Sequence, residues 1–239
     1  MTLHEPDRPV ALVTGSTRGL GLATARALGR EGMSVVVTGR TEQAAVAAAD
    51  QLRTQGLDSV LALHLDVTDP VSVFRAFTET QRAFGRLDVL VNNAAVAIDR
   101  HRSASRHDLE QITTTVNINL MGAWRCSIEA AALMRAGGGG RILNISSGMA
   151  SLATMSASSP AYRVSKAALN ALTRVLADDL REDNILVNAV SPGVVDTRMN
   201  YGAAAVSPDE AAAGMLWLAT LPADGPTGGF FQGRERLPW

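Results

Sequence analysis

Short apolar runs alternate with longer, alanine-rich stretches along the chain. Six of these runs, rich in β-branched and aliphatic residues, predict strands at 10–13, 35–37, 60–63, 89–91, 142–145 and 185–190. Because nearly every position in the runs is apolar, we expect each strand to be covered on both faces, as in a parallel sheet. The stretches between them have room for crossover helices. The pattern therefore predicts an α/β fold, a doubly wound parallel β-sheet of six or seven strands with helices on both faces.

Length, composition and charge narrow the class of protein. The chain has 239 residues, of which 46% are hydrophobic and 19% are charged, and this predicts a single globular domain spanning 1–239. A net charge of −1 without a basic stripe argues against a nucleic-acid partner. No apolar run approaches the roughly 18 residues that span a bilayer, and the polar residues 1–9 lack a signal core. We therefore expect a cytoplasmic protein with no membrane partner.

Two common kinds of site are not expected. Cys126 is the only cysteine, so the chain has no internal disulfide, and no Cys/His cluster has the spacing of zinc ligands. We predict no metal site. The histidines are scattered at positions 4, 64, 101 and 107, which argues against acyl transfer by a Ser–His pair.

A glycine-rich segment directly follows the first predicted strand. Residues 14–21 read Thr-Gly-Ser-Thr-Arg-Gly-Leu-Gly, and a helical pattern comes next. Glycines here permit a tight turn and let the backbone approach a pyrophosphate at a helix amino terminus. The spacing is G-x-x-x-G-x-G, not the commoner G-x-G-x-x-G. A plain turn is the alternative, but the position after the first strand favours dinucleotide binding.

The end of the second predicted strand indicates which dinucleotide. Proteins that prefer NAD place an acid there for the ribose 2′-hydroxyl, whereas this chain has Gly39 and Arg40 and no acid before Thr41. Arg18, in the glycine segment, adds a second cation. Two guanidinium groups can bind a 2′-phosphate in bidentate geometry. Either arginine alone could be a solvated surface residue, but together they predict NADP(H).

A tyrosine and a lysine are spaced for acid–base chemistry. Tyr162 and Lys166 open a helical pattern, and a four-residue step puts both on one helix face. A phenol titrates near pH 10, so it needs a neighbouring cation to act near neutral pH. The pattern Y-x-x-x-K also arises by chance, but the chain has only two tyrosines.

Two serines follow the fifth predicted strand. A hydroxyl of Ser146 or Ser147, at the carboxyl end of a strand, could bind a substrate carbonyl and the developing alkoxide. A serine in a turn, with no chemical role, is the alternative.

Taken in order, these segments resemble the short-chain dehydrogenases/reductases over essentially the whole chain. The matching elements are the glycine segment 14–21, Asp66 and Val67, the Asn-Asn-Ala-Ala segment 92–95, Asn119, Ser147, Tyr162 with Lys166, and Pro192-Gly193 leading to Thr197. The similarity is greatest to the NADPH-dependent carbonyl-reductase branch, because of Arg18 with Arg40, the segment 147–149 and the ending Gly228-Gly229-Phe230-Phe231 to Pro238-Trp239. The resemblance implies a single-domain Rossmann fold.

The resemblance also implies roles for the catalytic residues. Tyr162 would be the general acid that protonates the carbonyl oxygen. Lys166 would bind the nicotinamide ribose and lower the pKa of Tyr162. Ser147, rather than Ser146, would position the carbonyl, and Asn119 would support a proton relay to Lys166.

The same matches imply the cofactor and substrate contacts. The implied cofactor-binding residues are Gly15, Thr17, Arg18, Gly19, Leu20, Gly21, Arg40, Asp66, Val67, Asn93, Tyr162, Lys166, Pro192, Gly193 and Thr197. Beside Ser147, the substrate candidates are Met149, Met199 and Trp239, although the methionines could equally be core residues.

The chain departs from the family pattern at three places. Ala95 stands where the family usually has glycine. The frequent V-D-G-G ending, which supports oligomer contacts in many members, is missing, so a homodimer, a homotetramer and a monomer all stay open. The segment 194–206 is short for a substrate lid, which predicts an open pocket.

The sequence therefore predicts an NADPH-dependent carbonyl reductase that converts a ketone or aldehyde to an alcohol. Alternatives are a non-catalytic NADP-sensing module, a reductase of 3-ketoacyl thioesters, and an epimerase or dehydratase of nucleotide sugars. The complete set of catalytic residue types argues against the sensor, and the short carboxyl-terminal part argues against the sugar enzyme.

Overall fold

A computed structural model describes residues 7–100, 102–106, 108–196 and 205–239. Within them the chain alternates strands with helices. The strands are β1 Val10–Val13, β2 Ser34–Gly39, β3 Val60–His64, β4 Val89–Asn92, β5 Gly140–Ile145, β6 Ile185–Val190, β7 Phe230–Gln232 and β8 Glu235–Arg236. The α-helices are α1 Gly19–Arg30, α2 Glu42–Thr54, α3 Pro70–Phe84, α4 Leu109–Val116, α5 Ala123–Gly137, α6 Pro160–Asp179 and α7 Pro208–Ala219. A π-helix, Asn117–Gly122, joins α4 to α5.

The strands form one sheet in the order β3-β2-β1-β4-β5-β6-β7-β8. The first seven are parallel to their neighbours, and β8 pairs antiparallel with β7. The doubly wound α/β prediction is thus confirmed, and all six predicted strands are present. The expected number of six or seven strands was wrong, because the two-residue β8 continues the sheet beyond β7. A run that short has no periodicity to read in the sequence.

Alternate apolar residues of the first six strands point into two separate cores. Val10 and Leu12 of β1 pack with apolar residues of α3, α5 and α6 on one face. Ala11 and Val13 of the same strand pack with residues of α1, α2 and α7 on the other. Burial on both faces explains why the strands are almost continuously apolar.

The order of the strands reverses between β1 and β4. The chain runs from β1 outward to β2 and β3, and then crosses back so that β4 lies on the other side of β1. The loops after these two strands diverge, which leaves a crevice at the carboxyl edge of the sheet. The glycine segment follows β1, and Asn93 directly follows β4, so the topology brings both to this crevice.

Candidate active site

The crevice is part of a single cleft of about 1820 Å³ at the carboxyl ends of the strands. It runs from the end of β2 to the first turns of α6. The structure brings together in its lining most of the predicted site residues: Gly15, Thr17, Arg18, Gly19, Leu20, Gly21, Arg40, Asp66, Val67, Asn93, Ser147, Met149, Tyr162, Lys166, Pro192 and Gly193.

The glycine segment is shaped by backbone conformation and by close packing. Gly15 and Gly19 have positive φ angles of 63° and 54°, which side chains disfavour. A Cβ atom on Gly21 would come within 2.5 Å of the Asn93 Nδ2 atom. Asn93 holds the loop from β4, since its Nδ2 donates to the carbonyls of Thr14 at 2.8 Å and Gly15 at 3.1 Å.

Helix α1 begins in this segment without a side-chain cap. Arg18 occupies its N-cap position and makes no capping hydrogen bond, and its first turn holds no acidic residue. The first N–H groups of a helix have no partner within the helix. Together with the positive end of the helix dipole, they form a site suited to a phosphate group.

Positive charge gathers at the end of the cleft near β2. Arg18 and Arg40 are both exposed and line the cleft. Asp66 lies close to Arg40 and binds Thr68, whose backbone N–H and hydroxyl donate to its Oδ1 at 2.9 and 2.7 Å. Burial acts to raise the pKa of Asp66, but the hydrogen bonds from Thr68 and the charges of Arg40 and His64 lower it overall. Asp66 is therefore held as a carboxylate near Arg40.

Tyr162 and Lys166 lie one turn apart on α6 and face the cleft. The Nζ atom of Lys166 is 5.9 Å from the centre of the Tyr162 ring and donates to the Ile145 carbonyl at 2.6 Å. Burial lowers the pKa of Lys166 to about 7. Burial also raises the pKa of Tyr162, although a hydrogen bond with Ser147 and the charge of Arg100 partly oppose the rise. This direction is opposite to the lowering that the family resemblance implies, because burial exceeds the effects of the neighbouring groups.

The two serines after β5 have different partners. The hydroxyl of Ser146 is buried and donates to Oδ1 of Asn170 at 2.6 Å. Ser147 is less buried, and its hydroxyl interacts with the Tyr162 phenol while accepting from the Met149 N–H at 3.2 Å. Of the pair, Ser147 is therefore the one whose hydroxyl lies beside the phenol.

Asn119 lies beneath the cleft, in the π-helix. Its Oδ1 accepts from the Val96 N–H at 2.8 Å, and its Nδ2 donates to the Val96 carbonyl at 2.9 Å. Nδ2 also donates to the Ser165 hydroxyl at 3.0 Å. The side chain thus joins the segment after β4 to helix α6.

A family model described as short chain dehydrogenase matches residues 9–206. The chain belongs to the short-chain dehydrogenase/reductase family. The matched region contains the glycine segment, Ser147 and the Tyr162–Lys166 pair.

Relatives in this family resemble the chain over most of its length. The NADPH-dependent aldehyde reductase 2, chloroplastic, of Arabidopsis thaliana is 36% identical over 203 residues, which cover 80% of this chain and 74% of that protein. Carbonyl reductase [NADPH] 1 of Oryctolagus cuniculus is 34% identical over 280 residues, covering 98% of this chain and 99% of that protein. A solved gluconate 5-dehydrogenase from Burkholderia cenocepacia, in complex with NADP and tartrate, has a TM-score of 0.86 at 27% identity and covers 96% of this chain and 94% of its own.

Of the predicted residues that the structure describes, Asn119 and Trp239 are the two that do not line the cleft of this short-chain dehydrogenase/reductase. Thr197 and Met199 lie outside the described residues. Trp239 stacks on Phe230, with ring centres 5.6 Å apart, and its backbone carbonyl accepts from the Ser151 hydroxyl. Its ring therefore packs against β7.

Sequence reasoning missed two charged side chains at the amino-terminal end of α6, of which Asp99 comes from the loop after β4 and Arg163 belongs to the helix itself. The carboxylate of Asp99 accepts from the backbone N–H groups of Ala161 and Tyr162. The buried Arg163 donates to the carbonyls of Ser158 and Met149 at 2.7 and 3.1 Å, which holds together the two ends of the loop between β5 and α6. The only signal in the sequence is the charge itself: Asp99 ends an apolar stretch, and Arg163 directly follows the tyrosine.

Two negative findings apply to the part of the chain that the structure describes. None of its helices is long and apolar enough to cross a membrane. No group of three or more His, Cys, Asp or Glu side chains there is arranged to hold a metal ion.

Proposed function

We propose that this chain is an NADPH-dependent carbonyl reductase that converts a ketone or an aldehyde to an alcohol. The observation that carries the proposal is the grouping of Ser147, Tyr162 and Lys166 on one cleft, with the phenol in contact with the serine hydroxyl and one helical turn from the ammonium group. When bound, NADPH supplies the hydride.

The residues of the cleft fit NADPH along its length. The uncapped amino terminus of α1 suits the pyrophosphate. Arg18 and Arg40, where β2 ends without an acid, suit a 2′-phosphate. The buried Lys166 has donors available for ribose hydroxyls beyond its bond to Ile145. Relatives named as NADPH-dependent reductases support the same choice of cofactor.

Tyr162 is the general acid in this proposal. Its phenol is protonated at neutral pH, since burial raises a pKa that is already near 10, and it can donate the proton to a carbonyl oxygen that gains negative charge.

Ser147 positions the substrate because its hydroxyl donates a hydrogen bond to the same carbonyl oxygen. The phenol and the hydroxyl lie side by side, so one oxygen atom can accept from both. Asn119 acts beneath them: its contacts with Val96 and Ser165 hold the segment after β4 against α6, next to Lys166. In this proposal Asn119 supports a proton relay through this region to Lys166.

The experiment is NADPH oxidation, followed by absorbance, over a panel of ketones, aldehydes, diketones, quinones and 3-ketoacyl thioesters. Wild type is compared with Tyr162→Phe, which removes the acid and keeps the ring. Val164→Ala is the matched control, because Val164 lies on the same helix and is 59% exposed outside the cleft.

We expect turnover with NADPH that falls by about 10²–10⁴-fold in Tyr162→Phe and stays unchanged in Val164→Ala. Binding of NADPH should be similar in all three proteins. Turnover retained by Tyr162→Phe would refute the mechanism. Tight NADPH binding without turnover of any carbonyl would refute the reductase and favour the NADP-sensing module, whereas turnover of thioesters alone would favour the 3-ketoacyl reductase.

A further inference from the structure

The amino terminus of α6, the helix that carries Tyr162, has no cap of its own. Ser159 occupies the N-cap position, but its backbone is left-handed, with a φ of 49°, and its side chain makes no capping hydrogen bond. An N-cap serine ordinarily accepts from the N–H of the second or third helical residue. In α6 these residues are Ala161 and Tyr162, so their N–H groups need a partner from elsewhere.

Asp99, in the loop after β4, is that partner. Its Oδ2 accepts from the N–H of Ala161 at 2.6 Å and from the N–H of Tyr162 at 3.2 Å. The side chain is 0% exposed, and its Oδ1 has no hydrogen-bond partner among the described residues. A carboxylate at this place is stabilised by the positive end of the dipole of a 20-residue helix. Asp99 thus caps the amino terminus of α6, although it lies far from the helix in the sequence.

The backbone of Tyr162 is also held at its carbonyl. The Ser165 hydroxyl donates to this carbonyl at 2.7 Å and accepts from Asn119 Nδ2 at 3.0 Å. Side chains therefore bind the N–H and the carbonyl of the same residue. The phenol projects from a backbone that is fixed on both sides.

We propose that Asp99 is a positioning residue for the reaction: its carboxylate replaces the missing cap of α6 and thereby fixes the place of the Tyr162 phenol in the cleft. The inference rests on the proposed role of Tyr162 as the acid. Asp99 contacts the backbone of α6 and acts through Tyr162.

The charges around the phenol provide a readout beyond simple structural support. Lys166 approaches from the same helix, Asp99 and Arg100 come from the loop after β4, and the neutral Ser147 hydroxyl comes from the segment after β5. The charge of Asp99 adds to the effect of burial in raising the pKa of Tyr162, whereas Arg100 opposes it. Removing the negative charge should therefore lower the pKa of the phenol.

The kinetic test compares Asp99→Ala, which removes the cap, with Asp99→Asn, whose amide oxygen can still accept from both N–H groups. Asp69→Ala is the matched control, because Asp69 caps α3, a helix that also begins with proline, through a 2.9 Å bond from the Val71 N–H. We expect kcat to fall roughly 10- to 100-fold in Asp99→Ala, as for a reacting group displaced by about 1 Å, with NADPH affinity within about threefold of wild type. Asp99→Asn should recover most of kcat, and Asp69→Ala should keep it.

The second test reads the phenol directly. Tyr162 and Tyr201 are the only tyrosines, so in a Tyr201→Phe background the ultraviolet absorbance of the phenolate reports Tyr162 alone. Adding Asp99→Asn should move the midpoint of this titration to lower pH. The measurement needs no substrate, and it decides the question even if Asp99→Ala does not fold.

Two results would overturn the inference: a kcat of Asp99→Ala within twofold of wild type, or an unchanged phenolate midpoint in Asp99→Asn. Turnover retained by Tyr162→Phe is a different result, because it overturns the proposed function. The phenolate titration does not depend on turnover, so the two failures are distinguishable.

Discussion

Lys166 donates a 2.6 Å hydrogen bond from its buried ammonium group to the backbone carbonyl of Ile145, at the end of β5. Lys166 is the only lysine in the sequence, and the other 21 of the 22 Lys and Arg residues are arginines. A lysine can lose its proton when it is buried, whereas an arginine stays charged. The cleft therefore contains the one strongly basic side chain whose charge changes near neutral pH.

The stability of the protein should depend on pH through Lys166. The pKa of this lysine is about 7 in the folded chain and that of an ordinary exposed lysine, 10.5, when the chain unfolds, so between these pH values unfolding takes up a proton. The free energy of unfolding should therefore rise with pH across this window, by at most about 1.4 kcal/mol per pH unit. Below pH 7 the contribution of Lys166 to this free energy should not change with pH. Urea unfolding of wild type and Lys166→Met over a pH series measures the effect, since the methionine variant lacks it.

A direct check uses the single lysine as a probe. Protein labelled with ¹³C at lysine Cε gives one side-chain resonance, and its titration should centre near pH 7. A midpoint near that of an exposed lysine, together with parallel stability curves for the two proteins, would contradict the prediction.

The neighbouring serines should separate catalysis from stability. Ser147→Ala removes the hydroxyl beside the phenol, and we expect kcat to fall by about 10²–10³-fold, as for loss of one donor to a developing oxyanion. Ser146→Ala leaves the buried Oδ1 of Asn170 without its partner, so it should lower the free energy of unfolding by about 1–3 kcal/mol. Steady-state kinetics and urea unfolding of both variants provide the comparison. A larger loss of kcat in Ser146→Ala would reverse the assignment.

Arg40 should contribute to cofactor choice. Arg40→Asp replaces a cation at the 2′-phosphate end of the cleft with an anion. The ratio of kcat/KM for NADPH over NADH should fall by roughly 10- to 100-fold, as for a lost charge-assisted hydrogen bond. Arg75→Asp is the control with the same change of charge, because Arg75 is exposed on α3 and outside the cleft. Equal ratios in both variants would show that Arg40 does not select the cofactor.

Gly21 should tolerate no side chain. Its added Cβ atom would lie 2.5 Å from Asn93 Nδ2 and 2.7 Å from the Gly15 carbonyl oxygen, so Gly21→Ala must displace Asn93 from the loop. We expect a loss of about 1–3 kcal/mol in stability and NADPH binding at least about tenfold weaker. Gly137→Ala, at the end of α5 with no atom within 4 Å of the new methyl group, should show neither effect. Fluorescence titration with NADPH and thermal unfolding measure both.

The strand pattern was the most predictable part of the fold. Both faces of the inner strands are buried, so their residues are almost all apolar, and the predicted runs differ from the first six observed strands by at most two residues at either end. The edge strand β8 escaped prediction because its two residues, Glu235 and Arg236, are exposed and polar. Its pairing with β7 depends on a turn at Gly233, where φ is 58°.

The site could be predicted where its residues are close together in the sequence. The four-residue step from Tyr162 to Lys166 fixes their common helix face in any helix. Asp99 had no such signal, because its approach to Tyr162 depends on the path of two chain segments 63 residues apart. The raised pKa of Tyr162 was equally out of reach of the sequence, since it depends on how deeply the packed helix buries the phenol.

The π-helix is irregular, and it holds Asn119 where this side chain bonds both Val96 and Ser165. A π-helix has more residues per turn than an α-helix. The continuous helical segment formed by α4, the π-helix and α5 therefore contains one residue more than an unbroken α-helix would need. Deleting one residue before Asn119 would restore an even hydrogen-bond ladder and rotate Asn119 by about 100° about the axis, away from Val96 and Ser165. The shortened helix would be more regular in itself, yet the chain would lose the bridge beneath its cleft.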